Sequence, residues 1–355
     1  MPITLTIDEL RLRLQSGLVI PAHPLALDDR RRFDPIAMRR LTRYYHAAGA
    51  GGVAAGVHTT QFSIRHEGHG LLVPVLDEVA RAIDELDEKT GRRTVKIAGV
   101  CGDTRQAEGE AAVARRLGYD AALVSLSGVT STTDGLIAHL SSVASIMPIL
   151  GFYMQEAVGG ARLDRVFWRN AFCIEKMVAV KISPFNRYAT LDVVRSLAEV
   201  GREGEIALYT GNDDNIVADL VTPHRIVVSG KSVELRIVGG LLGQWACWTR
   251  RAVELHRECR RVAASDNVPA GLLAMGSRLT EANAAIFDAA NGFRGSIAGV
   301  HEILRHQGLL ANTYCLDPAE TLSPGQIDLI DQVRRDYPEL ADDRFVAEHL
   351  SEWST

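Results

Sequence analysis

No apolar run in this 355-residue chain approaches the roughly 18 residues that a membrane-crossing helix needs, so the sequence reads as one without a spanning segment. Paired cysteines are lacking too. Cys101, Cys173, Cys247, Cys259 and Cys315 are odd in number, scattered and never spaced as CxxC, which points away from a disulfide framework and toward reduced, mostly buried thiols in a cytoplasmic protein. The N-terminal "MPITLTIDELRLRLQSG" has no signal-peptide apolar core, and Thr6 to Glu9 reads as a capping box opening a short helix that Gly17 ends. A strong charge imbalance is missing as well: at a formal charge of −5 nothing draws the whole chain to nucleic acid or an anionic membrane. The densest basic stretch is "DDRRRFDPIAMRRLTRYY", with Arg30, Arg31, Arg32, Arg39, Arg40 and Arg43. Its apolar residues Ile36, Leu41, Tyr44 and Tyr45 set the arginines on the outer face of a helix. Finally, no GxGxxG turn follows the first apolar stretch, where "PAHPLAL" stands instead, so the fingerprint of a dinucleotide-binding open sheet is absent.

What is present is a regular alternation. The chain is 46% hydrophobic and 23% charged, ample for a large core. Strands are expected over 18–23, 52–57, 95–100, 121–126, 147–154, 177–183, 206–211 and 225–230, with amphipathic helical stretches between them, several ending in glycine. Eight strands alternating with helices predict a (β/α)8 TIM barrel over 18–263, preceded by an N-terminal helix over 1–17 and followed by a C-terminal helical region over 264–355. "SVELRIVGGLLGQWACWTRRAVELHRECRRVA" reads as the last barrel helix. Trp245 and Trp248, three apart within it, read as core or subunit packing.

Barrel chemistry lies at the C-terminal ends of the strands. There the sequence offers Thr59 and Thr60 after strand two, Tyr153 on strand five, Lys181 and Ser183 on strand six, Gly211, Asn212, Asp213 and Asp214 after strand seven, and Ser229 after the eighth apolar stretch. Lys181 is the odd one, an ammonium inside the apolar run "MVAVKIS". Burial lowers a lysine pKa and frees neutral amine to attack a ketone, and a nearby tyrosine hydroxyl can move the accompanying proton. Neighbouring strands are about 4.8 Å apart, so Tyr153 and Lys181 are expected in one pocket. The alternative for Lys181 is a side chain that snorkels from the strand end or pairs with a carboxylate. Asp213 and Asp214 either accept hydrogen bonds from substrate hydroxyls or cap the helix "DNIVADLV".

"VAVKIS", "GFYM", the "TT" after strand two and "GNDD" together resemble the dihydrodipicolinate synthase / N-acetylneuraminate lyase family of class I aldolases, from about Leu18 to Asp336. The resemblance implies a homotetrameric barrel, or at least a homo-oligomer, acting on pyruvate or another 2-oxo acid without metal or organic cofactor. It implies Lys181 as the Schiff-base nucleophile, Tyr153 as the proton shuttle, and Thr59 and Thr60 as the pair holding the keto-acid carboxylate. Gly211 and Asp213 match the glycine-x-acid motif that contacts substrate.

The chain also departs from that family. "HTTQF" replaces the common GTTGE, "LSGVTS" offers Ser127, Gly128 and Thr130 where a relay tyrosine is usual, and Val158 stands where the synthases carry a carboxylate-gripping arginine. These losses point away from lysine biosynthesis and toward a lyase, aldolase or dehydratase with a different partner substrate. Two other readings are a non-catalytic keto-acid or sugar-acid binding barrel, and a metal-dependent hydrolase using His58, His66 and His69.

Overall fold

The computed structural model describes residues 4–129 and 131–354; Thr130 lies outside the described residues. Among the described residues there are ten strands: β1 (Val19–Pro21), β2 (Gly52–Ala55), β3 (Val95–Val100), β4 (Ala121–Val124), β5 (Ile149–Met154), β6 (Met177–Ser183), β7 (Ala207–Thr210), β8 (His224–Val228), β9 (Lys231–Leu235) and β10 (Ile237–Leu242). Eight of them form one sheet in the order β1-β10-β7-β6-β5-β4-β3-β2. Its two end strands meet through a parallel bridge between Ala22 and Ala54, and the His23 N–H donates to the Ala54 carbonyl at 2.8 Å. This is the (β/α)8 TIM barrel expected from the alternation, with further helices C-terminal to it. Each residue of β3, β4, β5, β6 and β7 is buried, as strands sandwiched between an interior and a helix layer require.

The eighth barrel strand is not the one expected. "RIVV" belongs to β8, which pairs antiparallel with β9 in a separate two-stranded hairpin, and β10 takes the eighth place beside β7. The segment read as the last barrel helix therefore holds β9, β10 and a short 3-10 turn before its helix begins at Thr249. Trp245 lies in that turn and Trp248 just beyond it at φ 52°, and both are buried. The physical reason lies in one glycine. A Cβ on Gly239 would fall 2.5 Å from the Leu18 carbonyl oxygen and 2.8 Å from the Tyr209 ring, so β10 can lie there only without a side chain.

Local signals elsewhere act as written. Thr6 caps the helix Ile7–Gln15 with its reciprocal bond to Glu9. The Asp34 carboxylate accepts from the N–H groups of Ile36 and Ala37, Pro35 opens the helix Pro35–Ala48, and Gly49 closes it at φ 97°. Its arginines are engaged: Arg39 bridges Glu78 at 2.7 Å and Glu85 at 2.6 Å, and Arg43 donates to the Trp353 carbonyl at 3.0 Å. None of the five cysteines is in a disulfide; Cys247, Cys259 and Cys315 are buried, Cys101 is half-buried and Cys173 exposed. No helix among the described residues is long and apolar enough to cross a membrane.

By contacts the chain divides into two compact units. One comprises Met1–Leu18, Val95–Leu241 and Glu258–Leu273; the other comprises Val19–Thr94, Leu242–Arg257 and Ala274–Thr355. Lys181 belongs to the first and the threonine pair to the second.

Candidate active site

β6 carries Lys181 in a seven-residue run with no exposed member, and the lysine itself is only 9% exposed. In the ladder Lys181 stands between Phe152 of β5 and Tyr209 of β7. Laterally paired residues share a face of the sheet, and here the packing agrees: the Lys181 ammonium lies 4.6 Å from the centroid of the Phe152 ring. Burial acts most strongly on the amine and brings the Lys181 pKa from 10.5 down to about 8, against the Asp213 carboxylate, whose charge raises it.

Space for the amine is made by Gly211. A Cβ at that position would come 2.6 Å from Lys181 Cε, 3.0 Å from its Cγ and 2.8 Å from Ser183 Cβ, so any other residue would displace the lysine or its neighbour. Gly211 is tied on both sides: its N–H donates to the Ile182 carbonyl at 2.7 Å, and its carbonyl accepts from Ser183 Oγ at 2.7 Å. Lys181, Ser183 and Gly211 are thus brought together, and Asp213 acts on the lysine through its charge. The Ser183 hydroxyl proton is already spent on Gly211. Neither Asp213 nor Asp214 is the cap of the following helix; Asn215 occupies that position, with no side-chain cap bond.

Tyr153 does not join this group, which corrects the expectation of one pocket for phenol and amine. It pairs in register with Ile182, one residue on from Lys181, and so points to the opposite face of the sheet. There its ring packs against Trp168 of the helix Arg165–Phe172 at 5.5 Å, and its hydroxyl accepts from the Leu163 N–H at 3.4 Å. Gly151, two residues back on the same face, likewise meets Trp168. Burial pushes the Tyr153 pKa up. A cleft of about 580 Å³ lies on that side, lined by Tyr153, Glu156, Arg162, Asp164, Phe185 and Tyr188 among others, and Lys181 is not part of its wall.

In the second unit, Thr59 and Thr60 form a buried 3-10 turn with His58. Their hydroxyls are directed at carbonyls just beyond β1: Thr59 Oγ1 donates to Ala22 at 2.8 Å and Thr60 Oγ1 to His23 at 2.7 Å. A hydroxyl has one proton, so here those protons anchor the turn to the residues that follow β1. Gln61, in place of the family's glycine, adopts φ 68° and accepts the Leu316 N–H at 2.6 Å. His66 and His69 are exposed and stack on each other. Among the described residues no group of three or more metal-ligating side chains is gathered.

Ser229 sits at the tip of the β8–β9 hairpin, exposed and at φ 49°, because the strand it was assigned to is not in the barrel. Sequence reasoning passed over Phe152, the actual neighbour of the ammonium; it adjoins Tyr153 in a strand buried on both faces, where no alternation separates inward from outward positions.

No family model matches the chain, and no curated protein matches it in sequence. Solved structures do match. A dihydrodipicolinate synthase from Oceanobacillus iheyensis aligns with a TM-score of 0.71 at 14% identity, covering 94% of this chain and 99% of that one. An N-acetylneuraminate lyase from Fusobacterium nucleatum complexed with pyruvate aligns at 0.70 and 15%, covering 92% and 98%. A prophage protein of the dihydrodipicolinic acid synthase family from E. coli K12, in complex with pyruvate, aligns at 0.69 and 16%, covering 90% and 97%. At such identities the likeness establishes the fold, and the structural neighbours are members of the family that the sequence motifs resemble.

Proposed function

We propose that this protein is a Schiff-base-forming lyase or aldolase acting on pyruvate or another 2-oxo acid, with Lys181 as the nucleophile. The observation that carries the reading is the buried amine on β6 with its pKa lowered to about 8. At pH 7 about one molecule in ten then carries a neutral lysine, against fewer than about one in a thousand for a solvated side chain. The neutral amine adds to the ketone carbon, water leaves, and the protonated imine draws electrons from the adjacent bond, which can then break or form. What further supports the reading is a barrel shared with an N-acetylneuraminate lyase and a dihydrodipicolinic acid synthase family protein, both solved in complex with pyruvate.

Proton transfer is assigned away from Tyr153, which faces the other side of the sheet. The acid whose charge reaches Lys181 is Asp213, and we assign it the proton-handling role directly or through one water. Five thiols outside any disulfide suit a reducing compartment, so we place the protein in the cytoplasm. A homo-oligomer is proposed from the family resemblance alone.

The test is borohydride reduction in the presence of pyruvate, followed by peptide mass spectrometry. A reduced pyruvate adduct on Lys181, absent from Lys181→Ala, is the expected result. Absence of an adduct with pyruvate, 2-oxobutyrate and a 2-keto-3-deoxy sugar acid would refute the reading and leave a barrel that binds without catalysis.

A further inference from the structure

Asp219 is 3% exposed, yet four side chains donate to its carboxylate. Arg187 Nη1 and Asn215 Nδ2 donate to Oδ1 at 2.5 and 2.9 Å, and Thr210 Oγ1 and Asn212 Nδ2 donate to Oδ2 at 2.6 and 3.0 Å. An ionised carboxylate has about four lone-pair sites, so its accepting capacity is full. The donors come from two places: Arg187 opens the helix that follows β6, and the other three lie at the end of β7 and just after it.

Two of those donors, Thr210 and Asn212, flank Gly211, the residue whose α-carbon lies against Lys181. Asn212 is fully buried and carries the constraint further. Its Oδ1 accepts the Phe185 N–H at 3.0 Å, its own N–H donates to Thr210 Oγ1 at 3.1 Å, and Phe185 is held at φ 53°, which a non-glycine residue adopts only when its surroundings impose it. A buried ionic group is poor value as plain stabiliser, since apolar residues of the same volume often do as well. What this one supplies is a fixed geometry for the two segments that close over the lysine.

We infer that Asp219 is a positioning residue for Lys181, holding the chain on either side of Gly211 so that the lysine side chain stays shut away from water. The inference takes its functional meaning from the Schiff-base reading. Around the amine stand the Phe152 ring, Tyr209 in register, Ser183, Gly211 and the charge of Asp213. Loosening the segment that carries Gly211 admits water and restores the hydration of the ammonium, so fewer lysines are neutral at pH 7.

The experiment is competitive acetylation of the full chain with acetic anhydride from pH 6 to 11. Labelling of Lys181 is read by peptide mass spectrometry against exposed Lys89, in wild type, Asp219→Asn and Thr210→Val, with thermal melting as the check of folding. In wild type the Lys181 midpoint falls near 8. In Asp219→Asn it rises by about one pH unit or more, a roughly tenfold loss of neutral amine at pH 7, and Thr210→Val moves it the same way by less. A folded Asp219→Asn with an unmoved midpoint overturns the inference. If that variant does not fold, Thr210→Val decides, and its unmoved midpoint overturns it equally. If the midpoint moves but wild type gives no borohydride-trapped pyruvate, the Schiff-base reading fails while the positioning role stands.

Discussion

Replacing Lys181 by methionine removes the nucleophile and should at the same time stabilise the protein at neutral pH. The lysine pKa is about 8 in the folded chain and 10.5 when solvated. A lowered pKa on a base means that folding opposes protonation. The cost is therefore fully present below pH 8, shrinks as pH climbs from 8 to 10.5, and is gone above that. The difference converts to about 3 kcal/mol. Methionine keeps a similar unbranched shape and carries no charge; loss of the ammonium's contact with the Phe152 ring takes back about 1 kcal/mol. A net gain of about 2 kcal/mol for Lys181→Met at pH 6.5 is expected, falling toward zero or slightly negative by pH 10.5. Urea unfolding of both proteins at three pH values measures it, with the slopes compared to confirm that the same surface is exposed. A variant that is less stable than wild type at pH 6.5, or whose difference does not change with pH, would show that the ammonium is solvated or paired after all.

Gly211→Ala places a methyl 2.6 Å from Lys181 Cε and should cut the rate of borohydride-trapped adduct formation at least about tenfold while circular dichroism stays native; wild-type trapping would mean the loop yields freely. Asp213→Asn removes the charge that holds the Lys181 pKa up, so the acetylation midpoint should fall below 8; a midpoint that rises or stays contradicts the assigned field. Tyr153→Phe should leave turnover within about threefold of wild type, because the phenol faces Trp168; a loss of 10²-fold or more would return the proton-shuttle role to it.

The lysine was legible because a single cation in a β-branched run has few explanations, and the alternation of apolar and amphipathic stretches carried the barrel. The partner of the lysine was not legible. In "ILGFYM" every residue is buried, so composition does not reveal which side chains point inward, and only the ladder pairing of Phe152 with Lys181 fixes the parity. A similar limit hid β10. "RIVV" has the stronger β-propensity, while "IVGGLL" is broken by two glycines, of which Gly239 makes sense only once the close approach of Leu18 is known. One signal could have been used: two β-rich runs separated by Ser229-Gly230 spell a hairpin with a two-residue turn. The threonine turn illustrates a further gap, since hydroxyls that look like ligand donors in a motif are consumed by the carbonyls of Ala22 and His23, just after β1.

The hairpin between β7 and β10 also offers a practical opening. Barrel pairing passes directly from β7 to β10 without it, and Ser229 and Gly230 at its tip are exposed to solvent. A loop tip of that kind tolerates added chain. An epitope or a small reporter domain spliced there would decorate the protein without interrupting any of the eight parallel strands, giving a handle for immobilisation that leaves both chain ends untouched.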